Sequence, residues 1–261
     1  MDVEPSRRWV AVSCGEHVVP VDETVTPIPN PGSGGTGGSP PEAPAQRYIL
    51  AVSWQPAFCE TKPSKPECVS QTVERFDAAH FTLYRLWPQP QTNIYCHVAP
   101  DIVAADKDNR WSDLPSPALE TQTREALSRV MPGTQSFLER HEWIKHGTCY
   151  NGAPAEKYYA DSISLMEQLN ATAVRTLFAD NIGQEITTTA IRDAFDDAFG
   201  AGAGARVKVS CKQDNNRRLI TELTIGLAGD LDERSMAEAI FAAPQTSAGC
   251  PGGIVDPVGL Q

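Results

Sequence analysis

The chain has 261 residues, 22 Lys+Arg against 33 Asp+Glu and a formal net charge of −11, with 41% hydrophobic and 21% charged residues. This balance belongs to a folded chain and excludes a disordered one; no run approaches the roughly 20 apolar residues of a bilayer span, and the acidic total excludes a broad basic nucleic-acid coat. The length allows one large domain or two small ones, and seven cysteines point to an oxidising compartment if metal ligation can be set aside.

Residues 1–25 hold one strand-like run, Trp9–Cys14 (WVAVSC), too small to fold alone and lacking the apolar core of a secretory signal. They read either as a tail or as the end of a larger upstream module. Residues 26–45 contain six Pro and five Gly and are a linker. A long piece, 46–261, follows. Tyr48–Trp54 (YILAVSW) is a buried strand, and Phe81–Trp87 (FTLYRLW) a second with period-two alternation. Ala118–Val130 is a helix ended by Met131-Pro132-Gly133, and Ala155–Asn170 and Ala173–Asp180 are helices. Thr188–Phe199 is another, with Ile191, Phe195 and Phe199 on one face. Ala205–Cys211 and Leu219–Leu227 are strands. Early strands, middle helices and late strands make an α+β domain.

The densest reactive cluster is RHEWIKHGTC, Arg140–Cys149. On a helix, Glu142 and His146 are four apart and share a face, with His141 and Lys145 forming a second pair one residue earlier. A carboxylate beside an imidazole suits proton transfer near neutral pH, and an adjacent ammonium stabilises charge on an oxyanion. A solvent-facing helix with i,i+4 pairs is the plainer reading of composition alone. The histidines are five apart, about 140° around a helix, so they cannot chelate one metal as HExxH does. No CxxC pair or phosphate-binding glycine loop is present, so no metal or cofactor is expected. The second run is FTLYRLWPQP, whose strand ends in Trp87-Pro88, with Tyr95 eight residues on. The two aromatics can stack on a planar ligand such as a base, or Trp87 is simply core.

FTLYRLWP at Phe81–Pro88 and HEWIKHGTC at His141–Cys149, with WQPAFC at Trp54–Cys59, resemble the two signatures and an adjoining segment of the ribonuclease T2 family, in particular its bacterial periplasmic members. The second signature is matched in full, and the resemblance runs from about Tyr48 to Cys250. It implies a disulfide-stapled α+β fold with an antiparallel central sheet flanked by helices. It implies endonucleolytic cleavage of RNA without a metal, through attack by the 2′-hydroxyl and a 2′,3′-cyclic phosphate; DNA is spared. By the resemblance His146 is the general base, Glu142 and Lys145 stabilise the transition state, and His141 helps bind phosphate. Trp87 and Tyr95 stack a base, with Gln89 where an aspartate is common. The implied disulfides are Cys59–Cys68, Cys96–Cys149 and Cys211–Cys250, leaving Cys14 single. No membrane contact, a monomer and a periplasmic or secreted location are expected.

One departure matters. Where the family's first signature has His-Gly, this chain has Tyr84-Arg85. The missing histidine is the general acid. A phenol with pKa near 10 can donate a proton at pH 7 but accepts one poorly. Arg85 either adds a useful cation at the phosphate or blocks the site. His80, about 13 Å from Tyr84 along a strand, is too far to substitute, and His97 is structural or solvent-facing on its plain reading. The expectation is an attenuated endoribonuclease whose first step survives better than its second. The alternatives are a pseudoenzyme that binds without cutting and an inert disulfide-stapled scaffold. With a net charge of −11, affinity for long RNA should be modest and local.

Overall fold

The computed structural model describes residues 46–261. The expectations for 1–25, for the linker 26–45 and for Cys14 lie outside the described residues. In chain order the elements are β1 (Arg47–Trp54), α1 (Gln55–Thr61), α2 (Pro66–Val69), β2 (Phe81–Pro88), α3 (Pro100–Lys107), α4 (Thr121–Val130), α5 (Leu138–Lys145), α6 (Ala155–Asn170) and α7 (Ala173–Asp180). They continue with β3 (Glu185–Thr187), α8 (Thr188–Phe199), β4 (Val207–Asp214), β5 (Arg217–Ala228), α9 (Met236–Ala242) and β6 (Gly252–Ile254).

The strands form a six-stranded sheet, β2-β1-β5-β6-β3, with β4 on the other edge of β5. Every pairing is antiparallel except the single β5–β6 match, Leu219 with Ile254. The α+β expectation of an antiparallel sheet flanked by helices therefore holds, with one parallel junction. In β1, Tyr48, Leu50, Val52 and Trp54 face the core, leaving Ile49, Ala51 and Ser53 on the opposite face. α6 packs against β2, α4 against α6, and α9 against β5.

Local signals account for several boundaries. Pro56, Pro66 and Pro100 open α1, α2 and α3 at positions where a missing N–H costs nothing. The Thr187 hydroxyl caps α8 by accepting from the Ala190 N–H at 3.1 Å. α4 begins at Thr121 and not at Ala118, because the Glu120 N–H donates to the Glu156 carboxylate on α6 and Glu120 stays extended. β4 starts two residues later than expected, after a 3₁₀ turn at Ala203–Arg206. It runs on to Asp214 because Asn215, at φ 48°, turns the chain directly into β5. The disulfides are Cys59–Cys68, Cys96–Cys149 and Cys211–Cys250, the pairings the resemblance implies.

Candidate active site

β2 is an edge strand, paired only with β1. Its first residue is held from below: Phe81 donates to the Asn170 side chain at 2.9 Å and accepts from it at 3.0 Å. The strand does not alternate throughout, which corrects the period-two expectation. Ala51 pairs with Arg85 and Val52 with Leu83, so Tyr84 is one residue too many and the strand bulges there. The apolar side chains that turn inward are Phe81, Leu83 and Leu86, and the parity changes between the last two. Tyr84, Arg85 and Trp87 therefore come to the same side.

α5 supplies the facing groups. It ends at Lys145, shorter than the run His141–Cys149, and Gly147–Cys149 form a 3₁₀ turn. Gly147 permits that turn, since a Cβ there would lie 2.4 Å from the Trp143 ring. The His146 N–H still donates to the Glu142 carbonyl at 3.0 Å, so the two side chains share a face as the spacing requires. The Cys96–Cys149 bond ties this turn to the Tyr95 loop, whose N–H donates to the Lys145 carbonyl at 2.9 Å.

Glu142 is the centre of the arrangement and is 0% exposed. Its Oε1 lies 3.7 Å from Arg85 Nη1 and 3.7 Å from His141 Nε2; its Oε2 lies 4.0 Å from His146 Nε2. The Arg85 guanidinium lies over two rings, 3.5 Å from the Tyr84 centroid and 3.8 Å from that of Trp87. The Trp87 and His146 rings are 5.5 Å apart. Burial pushes the Glu142 carboxyl up to about 7, against the pull of Arg85, His141 and Lys145. Burial, reinforced by Lys145, Arg85 and His141, drops His146 to about 3, so its imidazole is neutral at physiological pH. Burial also raises Tyr84 above its ordinary value despite Arg85 beside it, so its hydroxyl stays protonated. Lys145 is half-buried and makes no ion pair among the described residues; its charge acts on Glu142, His146 and Asp106 through space.

Five polar atoms here are buried with no hydrogen-bond partner among the described residues: Arg85 Nε, Trp87 Nε1, both Glu142 carboxylate oxygens and His146 Nε2. Buried polar groups normally find partners, so such a concentration marks a place built to meet something else.

Two residues that sequence reasoning missed complete the site. Asp106, on α3, faces His141 Nδ1 at 2.7 Å and accepts the Tyr95 hydroxyl at 2.8 Å. Trp111 stacks on the His141 ring, 4.4 Å between centroids and 21° between planes. Burial works against the Asp106 charge, but the bonds from His141 and Tyr95 outweigh it and hold its carboxyl below the usual range. Asp106 thus fixes the His141 ring and links it to Tyr95, while burial pushes the Tyr95 hydroxyl well above its ordinary pKa. Nothing local in the sequence marks Asp106, whose imidazole partner is 35 residues away. Asp106→Asn is expected to lower kcat/KM on RNA about tenfold, the worth of one hydrogen bond to a charged group. Steady-state kinetics on protein of unchanged melting temperature checks it, and unaltered kinetics would show that the Asp106–His141 bond positions nothing that turnover needs. Neither other histidine expected to be peripheral enters the site: His80 stacks on Phe76 and bonds to its carbonyl at 2.8 Å, and His97 is exposed. Among the described residues no three His, Cys, Asp or Glu side chains converge as metal ligands, and no helix is long and apolar enough to cross a membrane.

The strand-end Trp87 thus lies against His146, just beyond α5, with Glu142 and His141 of that helix beside it. The chain matches the ribonuclease T2 family over residues 45–239 and belongs to it. It is similar to Ribonuclease I of Escherichia coli (strain K12), 28% identical over 206 residues that cover 70% of this chain and 75% of that one. A ribonuclease of Aeromonas hydrophila is 30% identical over 104 residues, 39% of this chain and 36% of its own. Among solved structures, ribonuclease MC1 from bitter gourd seeds superposes with a TM-score of 0.51 at 16% identity, covering 80% of this chain and 99% of that one. The self-incompatibility associated SF11-RNase of Nicotiana alata gives 0.53 at 16% identity, covering 81% and 99%. These two share the fold.

Proposed function

We propose that this chain is an endoribonuclease that cleaves RNA with side chains as acid and base, leaving 2′,3′-cyclic phosphate ends, at a rate lowered by Tyr84. The observation that carries it is the convergence of Glu142, His146 and His141 with Arg85 and Trp87 around unpartnered buried atoms. A phosphodiester offers acceptors to Arg85 Nε and Trp87 Nε1 and brings a 2′-hydroxyl to His146 Nε2. In the reaction the O2′–P bond forms and the P–O5′ bond breaks. The 2′-hydroxyl proton goes to the neutral His146, and the departing 5′-oxygen takes a proton from the Tyr84 hydroxyl. Arg85, Lys145 and His141 offset the charge that builds on the phosphorus oxygens. DNA, lacking the 2′-hydroxyl, supplies no nucleophile. Trp87 and Tyr95 are the base-stacking candidates. Hydrolysis of the cyclic product needs the former acid to act as base, and Tyr84, raised above its ordinary pKa, does this poorly. The three disulfides support an oxidising location, periplasmic or extracellular.

A second reading, binding without cutting, is favoured by one observation: the Arg85 guanidinium pairs with Glu142 and covers the Trp87 ring, filling the place of a substrate base. Labelled RNA incubated with the protein in EDTA separates the two. Slow cleavage with cyclic phosphate ends that persist is the expected result. Rapid conversion to 3′-phosphate ends contradicts the roles given to His146 and Tyr84, and retention of intact RNA supports the second reading.

A further inference from the structure

The sheet face opposite the core carries a row that crosses four strands. Arg85 on β2 pairs with Ala51 on β1, Ala51 with Thr224 on β5, and Thr224 with Lys208 on β4. Three strand spacings separate its ends, about 14 Å. The next row on the same face is Ser53, Glu222 and Ser210. Beside these rows lies a cleft of about 310 Å³ lined by Ser53, Tyr84, Ser210, Lys212, Thr221 and Glu222 among others. Tyr84 is thus a wall of this cleft as well as the proton donor of the proposed reaction.

The electrostatics of the cleft run against those of the chain. Arg85, Lys208 and Lys212 all act on Glu222, three cations to one carboxylate, in a chain of net charge −11. Burial raises the Glu222 carboxyl above its usual range, against the pull of the three cations. Lys208 and Lys212 are exposed and make no ion pair among the described residues. The hydroxyls of Ser53 and Ser210 add neutral donors along the walls, while that of Thr221 donates to the Ser210 carbonyl at 3.3 Å. A pocket with a lysine and serine hydroxyls in its walls, sharing Tyr84 with the proposed reacting centre, matches the repeating anion of the substrate backbone.

We propose that this cleft holds the phosphate next along the RNA chain from the one being cleaved, with Lys212 on its wall as the cationic contact and Lys208, in the adjoining row of the sheet, adding its charge. The inference rests on the nuclease reading. The probe is a dinucleoside monophosphate with a 2′-deoxy sugar at the scissile position, so that it binds uncut. It is compared with the same molecule carrying an added 5′- or 3′-terminal phosphate. Calorimetry is expected to show one phosphorylated form binding about three- to tenfold more tightly than the plain one. Lys208→Ala with Lys212→Ala is expected to erase that gain and leave the plain dinucleotide's Kd unchanged. The gain from the added phosphate is expected to fall as salt is raised, since it is a contact between exposed charges. Binding of the plain dinucleotide with no gain from either phosphate, or a gain that survives both substitutions, overturns this inference alone. No binding by any of the three molecules overturns the nuclease reading with it.

Discussion

Tyr84→His combined with Arg85→Gly is expected to raise the rate of RNA cleavage by about 10²–10⁴, the usual worth of a positioned acid–base group. The imidazole titrates near neutrality and can both give and take a proton, whereas the buried Tyr84 hydroxyl can only give one. Removing the Arg85 side chain uncovers the Trp87 ring and frees Glu142 from its 3.7 Å contact. The products should change as well as the rate, because the introduced imidazole can serve as base in the second step; cyclic phosphate ends should give way to 3′-phosphates. Arg85→Gly alone should tighten binding at the uncovered Trp87 ring but lower turnover, because it removes a cation from the phosphorus oxygens, and Tyr84→His alone should leave the guanidinium in place. Gel analysis of end groups and initial rates reads all three variants. A double variant no faster than the parent would show that the rate is limited elsewhere.

Glu142→Gln carries the largest expected effect on stability. Burial raises the folded-state carboxyl to about 7, against an unfolded value of 4.5. Protonated Glu142 therefore stabilises the fold fully below pH 4.5, and that contribution is lost as pH rises through 7. At pH 8 the buried charge costs about 3 kcal/mol, which the neutral isostere removes. His146 has the opposite sign. Its folded value of about 3 lies below the unfolded 6.5, so its contribution is present above 6.5 and lost as pH falls through 3. Between pH 4.5 and 6.5 the two cancel, since the unfolded pair carries one proton on the histidine and the folded pair one on the glutamate. Urea denaturation across pH 4–8 should thus give a nearly flat profile for this pair in the parent. Glu142→Gln should be more stable than the parent at pH 8 and should lose stability on acidification below 6.5. A variant less stable than the parent at pH 8 would mean that the contact with Arg85 more than offsets the cost of burying the Glu142 charge.

Long, strongly periodic elements were readable from the chain. Ala155–Asn170 and Thr188–Phe199 fall where the apolar spacing puts them, and the Thr187 cap fixes the start of the second. α9 carried a readable signal that was passed over, the Ser235-x-x-Glu238 capping box. β3 and β6 had none: they are three residues each and exist through pairing, β3 with β6 and β6 in turn with β5. The segment 141–149 was legible because its charged and imidazole groups lie close together in sequence. The Asp106–His141–Tyr95 link was not, because it joins three separate elements whose spacing in sequence has no period. The Arg85–Glu142 contact joins β2 to α5 and was likewise invisible, though Arg85 itself was marked as a cation near the phosphate.

The bulge in β2 has an engineering meaning. At positions 84 and 85 two adjacent side chains project toward the reacting centre while the neighbouring leucines, Leu83 and Leu86, anchor the strand from behind. The ladder asks nothing of the chemistry at those two positions. They form a replaceable cassette, in which new functional groups can be installed as a dipeptide and screened for turnover without refitting the scaffold. Deleting one of the two would remove the bulge and restore plain alternation from Leu83 to Leu86, leaving a single side chain at that place in the strand.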